Sequence, residues 1–158
     1  MGGTQAPFIT QHTLKKMLLG RVSNIEIVTV SAITELDELL KSMAPELVES
    51  EFMFCKVAGS LIAYASLNPV ATFVEAEGLT LVLEKGLAQK AALQFEGIFR
   101  QITLTVHSSL EAVGLTAAVA RKLADKGISA NVIAAYYHDH ILVQSSKAEF
   151  ALSALQEL

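Results

Sequence analysis

The stretch RQITLTVHSSLEAVGLTAAVARKLADKGISANVIAAYYHDHILV, residues 100–143, decides the fold of this 158-residue chain. Its first eight residues, Arg100–His107, carry apolar side chains at alternating positions, with Ile102, Leu104 and Val106 on one side. Strict alternation of this kind is typical of a strand that buries one face and exposes the other. The segment therefore predicts a half-buried strand.

A helix is predicted to follow this strand. Apolar residues recur every four positions from Leu115 to Leu123, which places them on one face of a helix. Gly127 is suited to the left-handed conformation that ends many helices. Ser108 with Glu111 matches a capping box, although the helix itself could begin later.

A hairpin and a second helix complete the segment. The predicted strands are Asn131–Tyr137 and His140–Val143, joined by a two-residue turn at His138 and Asp139, since Asp and His tolerate the positive φ of such turns. The pattern Ser146–Glu149 is a second capping box and predicts the start of the final helix.

Residues 34–97 show a similar order of elements. Thr34 can cap a first helix that Pro45 ends. Strands are predicted at Phe52–Ala58, Ala71–Glu75 and Leu79–Glu84, with short helices at Leu61–Leu67 and Gly86–Leu93. Residues 34–97 and 98–158 thus each approximate a β-α-β-β-α unit. A unit of about 60 residues buries only about 60% of its surface alone, so two of them gain by packing together. Residues 1–33 are predicted to be an accessory arm.

Composition argues against several classes of protein. The net charge is -4, from 12 basic and 16 acidic residues without a dense basic patch, so no nucleic-acid partner is expected. Hydrophobic residues make up 52% and the mean hydropathy is +0.45, which suggests a buried interface in a homo-oligomer, expected to be a dimer. No apolar run reaches the roughly 18 residues of a membrane span. A single cysteine and the short apolar run after Lys15 and Lys16 favour the cytoplasm.

Residues 98–158 resemble the ACT domain, a small ferredoxin-like module that binds amino acids in regulatory proteins. The residues that carry the resemblance are ITLTV (102–106), Gly114-Leu115, VARKLA (119–124), GISANVI (127–133) and YHDHILV (137–143). The sequence of this stretch is similar to that of the small bacterial tandem ACT proteins, which have no catalytic domain and no settled function. The resemblance extends to EFMFCKV (51–57) and VEAEGLTLVLEKGLA (74–88), and it does not reach residues 1–32.

The resemblance implies an α+β fold of two tandem ferredoxin-like modules of βαββαβ type, with antiparallel sheets and helices packed on one face. It also implies a non-catalytic regulatory protein that binds a small molecule, most simply an amino acid. The ligand would lie where the strand turns into the helix, because free N–H groups at a helix N-terminus hold anions. The implied ligand-binding residues are Ser108, Ser109, Glu111, Ala112, Val113, Gly114, Leu115, Thr116, Asn131 and Ile133.

Several of these residues have a second interpretation. Gly114 either lets a ligand approach the backbone or serves a tight turn. Glu111 either faces an α-ammonium group or caps the helix. Asn131 either offers its amide to the ligand or takes part in ordinary turn chemistry. His138-Asp139-His140 could be a solvated hairpin tip, a partner contact or part of a metal site, but a zinc site needs three or four ligands.

No metal, cofactor or enzymatic activity is expected, because the sequence lacks the local motifs of nucleophile elbows, dinucleotide sites, phosphate loops and zinc proteases. One alternative is a structural or protein-interaction module without a functional ligand site. Another is a small enzyme that uses His107 or His138 as a base.

Overall fold

The computed structural model of the chain describes residues 35–106 and 108–158. The predicted accessory arm, the cap at Thr34 and the candidate base His107 lie outside the described residues. Within them, six strands form one antiparallel sheet. The strands are β1 (Pro45–Val57), β2 (Ala71–Glu75), β3 (Gly78–Glu84), β4 (Phe95–Leu104), β5 (Asn131–Ala134) and β6 (Asp139–Gln144). Their spatial order is β2-β3-β1-β4-β6-β5.

The described helices are α1 (Leu36–Ser42), α2 (Lys85–Lys90), α3 (Leu115–Asp125) and α4 (Ala148–Leu155), with 3-10 helices at Leu61–Leu67 and Ser145–Lys147. Helix α3 ends as predicted at Gly127, whose φ is +67°. The N–H of Gly127 bonds the carbonyl of Ala124 and the N–H of Ile128 bonds that of Leu123, at 2.8 and 2.9 Å. This pair of bonds is the Schellman motif, which satisfies carbonyl groups that the helix end leaves free.

The strand order shows how the two modules fit together. A ferredoxin-like module in this chain has its third strand beside its first, its second strand outside the third, and its fourth strand on the other side of the first. The first module reads β2-β3-β1-β4 and the second reads β5-β6-β4-β1. Strands β1 and β4 therefore belong to both modules. Strand β4 is the fourth strand of the first module, and β1 is the fourth strand of the second. The predicted fold class is confirmed, as one continuous sheet of six strands.

Apolar side chains from the helices and from one face of the sheet form two cores. The larger core lies under α3 and α4 and includes Ile102, Leu123 and Leu155, all buried. Leu39 of α1 is also part of it and is fully buried. Helix α1 precedes the first module in sequence but packs into the core of the second. The predicted division between residues 97 and 98 falls inside β4.

Three local predictions are wrong. The capping box at Ser108 and Glu111 does not start α3; the helix follows the later alternative and begins at Leu115, with Gly114 at the N-cap position. Instead, the Ser109 hydroxyl accepts a hydrogen bond from the Glu111 N–H at 3.2 Å, a local turn that competes with helix formation. The pattern Ser146–Glu149 also makes no side-chain cap, since a 3-10 turn precedes α4.

The hairpin turn is the third wrong prediction. Ala134 pairs with Asp139, and the connection is the four-residue loop 135–138, closed by a 3.2 Å bond from the Ala135 N–H to the His138 carbonyl. Asp139 is thus the first residue of β6 rather than a turn residue. Its position in the strand directs its side chain toward the helices, together with Ile141 and Val143.

Candidate functional site

A small cavity lies where β4 gives way to α3. Its lining residues come from the loop, the start of α3 and the facing hairpin: Ser108, Ser109, Leu110, Ala112, Leu115, Thr116, Ala134 and Asp139. The cavity volume is about 60 Å³. A water molecule occupies about 30 Å³ in the liquid, so this space could hold about two waters or one charged head group.

One wall of the cavity is the N-terminus of α3, a helix of 11 residues. The first N–H groups of a helix have no intrahelical acceptor, and the helix dipole makes this end positive. Three residues with hydroxyl groups line the same cavity: Ser108, Ser109 and Thr116. This wall therefore presents hydrogen-bond donors to a carboxylate or another small anion.

Asp139 of β6 lines the same cavity. The residue is 7% exposed, and among the described residues it is the charged residue that is buried. Among the described residues, no donor forms a hydrogen bond with this carboxyl group. Burial raises its pKa, and the neighbouring His140 and His138 oppose that shift. Loss of hydration around a carboxylate costs stability, and carboxyl groups with a shifted pKa are concentrated at functional sites.

Asp139 was missed as a site residue because the sequence placed it in an exposed turn. The alternation of Asp139, Ile141 and Val143 was the signal that could have found it, since residues two apart in a strand share a face. In this register, the side chain of Asp139 lies on the sheet face that packs against the helices, and it lines the cavity at the N-terminus of α3.

Gly114 has a clear packing role. Its φ is +107°, a conformation that strongly favours glycine. A Cβ atom at this position would lie 3.0 Å from Cδ2 of Leu36, so the side chain of α1 fills the space beside the glycine. A ligand could not approach the backbone from that side without moving Leu36. The open route to the helix N-terminus is the cavity on the Asp139 side.

The predicted site residues fall into three groups. Ser108, Ser109, Ala112, Leu115 and Thr116 line the cavity, and Gly114 adjoins it as the N-cap of α3. Glu111 and Val113 are exposed on the loop, and neither side chain lines the cavity.

Asn131 and Ile133 lie apart from the other predicted residues. Asn131 is paired with Leu142 and Ile133 with His140, which places both on the sheet face that points away from the helices. The Asn131 amide donates a 3.2 Å hydrogen bond to the Leu142 carbonyl. The structure therefore does not bring these two residues to the α3 N-terminus.

His140 also lies on that second face. Its Nδ1 is 3.1 Å from the Thr103 hydroxyl and 3.2 Å from the Gln101 amide nitrogen. Among the described residues, no three acidic, histidine or cysteine side chains meet in a way that could hold a metal ion. In the same part of the chain, no helix has the length and apolar character needed to cross a membrane.

Two models of the ACT domain match the chain, one over residues 31–100 and the other over residues 97–157. The two ranges overlap inside β4, one of the two strands that the modules share. The matches confirm the tandem ACT resemblance predicted from the sequence. No curated protein matches the chain.

Solved structures extend the comparison. A protein of unknown function from Vibrio cholerae, described as a possible transport protein, is 61% identical with a TM-score of 0.72, covering 80% of this chain and 98% of its own. A protein from Agrobacterium tumefaciens is 15% identical, with a TM-score of 0.62 and coverage of 73% and 87%. The ligand-free regulatory subunit of aspartate kinase from Thermus thermophilus is 12% identical, with a TM-score of 0.56 and coverage of 72% and 94%. The last two likenesses show the shared fold.

Proposed function

The chain belongs to the ACT domain family, and we propose that it is a non-catalytic regulatory protein that binds a small molecule, an amino acid, at the N-terminus of α3. The observation that carries this proposal is Asp139, which is 7% exposed, lines one cavity together with the first residues of that helix, and accepts no hydrogen bond from a described residue. One wall offers donors for an anion and the other a carboxylate for a cation. Together they complement the two charges of an α-amino acid.

The proposed binding mode follows from these charges. The ligand ammonium group would bind Asp139, and its carboxylate would accept hydrogen bonds from the first N–H groups of α3. A cavity of about 60 Å³ admits a head group alone, so the ligand side chain would extend outward over the loop. Leu110 and Val113 are 67% and 83% exposed there and could cover it.

The same exposed apolar residues support the proposed dimer. Leu110 and Val113 on the loop and Tyr136 on the hairpin are large side chains that water surrounds in the single chain. The loop and the hairpin that carry them both line the cavity, through Leu110 and Ala134, and exposed apolar surface around a site is typical of an interface. We propose that a second copy covers this rim in the cytoplasm, and that the ligand favours one arrangement of the two copies, as differential affinity requires.

A structural or interaction module without a ligand remains the second candidate. The observation that favours it is Leu36, which fills the space beside Gly114 and leaves a cavity too small for a whole amino acid. On this alternative, the glycine and the cavity are consequences of packing α1 against α3.

Thermal unfolding of the full chain with a panel of amino acids tests the proposal. A ligand present at one hundred times its Kd adds about 2.7 kcal/mol of stability. For a chain of this size, that raises Tm by about 5–10 °C. Asp139→Asn should abolish the shift, whereas the matched control Glu111→Gln should retain it, because Glu111 is exposed outside the cavity.

The reverse pattern, with the shift lost only in Glu111→Gln, would assign the ammonium contact to the loop. No shift with any amino acid in the wild-type chain would instead support the interaction module.

A further inference from the structure

The second face of the sheet, called here the open face, carries an apolar cluster of its own. Every member of the cluster comes from a strand: Phe52, Val82 and Leu142 are buried, and Val48, Phe54, Ala71, Phe99 and Ile133 are partly buried. No described helix contributes to it. On the first module, this face opens into a groove of about 500 Å³, within the usual size range of small-molecule sites.

An irregularity in the sheet shapes the groove. The register between β1 and β4 shifts between Phe52 and Phe54, opposite Gly97, whose φ is +72°. A Cβ at Gly97 would lie 2.8 Å from Cε2 of Phe99, so the Phe99 ring packs directly on the glycine. Phe99 in turn meets Phe54 edge to face, with ring centroids 5.2 Å apart. Bulges of this kind redirect side chains near functional sites. Here the bulge lies next to Phe54, whose ring lines the groove.

Phe73 of β2 lines the same groove and is 43% exposed. Phe73 and the partly buried Phe54 thus both line the groove, which leaves aromatic surface open to a ligand. The negative faces of such rings attract cations.

The charged residues of the groove are two glutamates and one lysine. Glu75 and Glu96 both line it, and Glu75 accepts a hydrogen bond from the Thr80 hydroxyl. The ion pairs of the described residues join Lys85 to Glu51, Arg100 to Glu149 and Lys122 to Glu157, so neither groove carboxylate has a basic partner there.

Lys56 is the basic residue that lines the groove, and its stem runs toward the β2–β3 turn. Its Cε lies 3.7 Å from the position that a Cβ on Gly78 would take. No ion pair links Lys56 to a described carboxylate, so the groove retains an excess of negative charge beside its aromatic rings.

We propose that this groove is a second binding site, independent of the cavity at α3, and that its ligand is a free organic ammonium compound with an aromatic body. The charge would lie between Glu75 and Glu96, and the aromatic body against Phe54 and Phe73. The charge complementarity of two carboxylates that have no basic partner among the described residues, beside two rings, selects a cation over an anion.

Phenethylammonium titrated into the 15N-labelled full chain tests this proposal, with n-butylammonium and phenylacetate as matched probes. The amide signals of Thr80 and Glu96 should shift saturably, with a Kd of about 1 mM or lower, while those around Asp139 stay in place. Butylammonium should bind more weakly because it lacks the ring, and phenylacetate should not bind.

Three substitutions of exposed residues test the roles of charge and of the aromatic ring, since none of them removes a buried group. Glu96→Gln and Phe73→Ala should each weaken phenethylammonium about two- to fivefold. Lys56→Gln should tighten it by a similar factor, because it removes a repulsive charge.

Absence of saturable shifts in the groove, or weaker binding in Lys56→Gln, would overturn the proposal. Asp139→Asn serves as the control that separates the two sites. It should leave phenethylammonium binding unchanged whether or not the cavity at α3 binds an amino acid.

Discussion

Gly114→Ala is expected to lower the free energy of unfolding by about 2–4 kcal/mol, through two separable effects. The φ of +107° is strained for any residue with a Cβ, at about 1–3 kcal/mol. The new Cβ would also lie 3.0 Å from Cδ2 of Leu36. Because Leu36 is half-buried and can yield, this contact costs about 1 kcal/mol, the low end for overpacking.

Urea unfolding of a double-mutant cycle with Leu36→Ala separates these effects. In the Leu36→Ala background, the steric part disappears and the backbone part stays, so the two substitutions should couple by about 1 kcal/mol. Residues that do not interact add within about 0.3–0.5 kcal/mol. A coupling energy below that limit would refute the assignment of Gly114 as the glycine that accommodates α1. If Gly114→Ala keeps full stability but loses ligand-induced stabilisation, the glycine is there for the ligand.

Three further predictions concern buried and bridging groups. Burial raises the pKa of Asp139, so the Asp139 carboxyl group binds its proton more tightly in the folded chain than in the unfolded chain. The stability that this group contributes is therefore fully present below pH 3.8, and it is lost as the pH rises through the folded pKa. Asp139→Asn should therefore raise the urea midpoint at pH 7 and remove that part of the pH dependence; a lower midpoint at pH 7 would contradict it. Hydrogen bonds from Lys85 and Ser145 lower the pKa of Glu51. Glu51→Gln should therefore lower the urea midpoint at pH 7 and reduce the loss of stability as the pH falls below 4.5. An unchanged loss of stability below pH 4.5 would argue against these bonds in solution. Leu39→Ala should cost about 2–5 kcal/mol by urea unfolding, because Leu39 is fully buried in the core of the second module; a cost under about 1 kcal/mol would show that α1 does not pack there.

Local sequence patterns predicted a helix or strand well where one of its faces is buried and where a single residue, such as a glycine, marks its end. The alternation at Ile102 and Leu104 identified β4, and Gly127 identified the end of α3. The 3-10 helix ending at Asn68 was predicted as a short helix, and Asn68 adopts the left-handed conformation suited to that end.

The interactions that the sequence did not reveal are non-local. The placement of α1 in the second module depends on Leu39 meeting residues more than sixty positions away, which no local period encodes. The register of β6 depends on Asp139 pairing with Leu104 and Ala134, so a one-residue error in the hairpin turned a buried carboxylate into an exposed one. The bulge at Gly97 likewise appears only when β1 and β4 are paired.

The shared strands give a physical reason for the two modules to act together. Glu51 on β1 accepts hydrogen bonds from Lys85 at the start of α2 and from Ser145 just after β6, at 2.7 and 2.6 Å. One carboxylate thus joins the end of the first module's sheet to the end of the second's. Separating the two modules would break the sheet along β1 and β4, which both modules share. The two modules should therefore unfold in one transition, and a ligand at either proposed site should raise the midpoint of that transition without changing the affinity of the other site. Separate unfolding transitions for residues 35–97 and 98–158 would contradict this coupling.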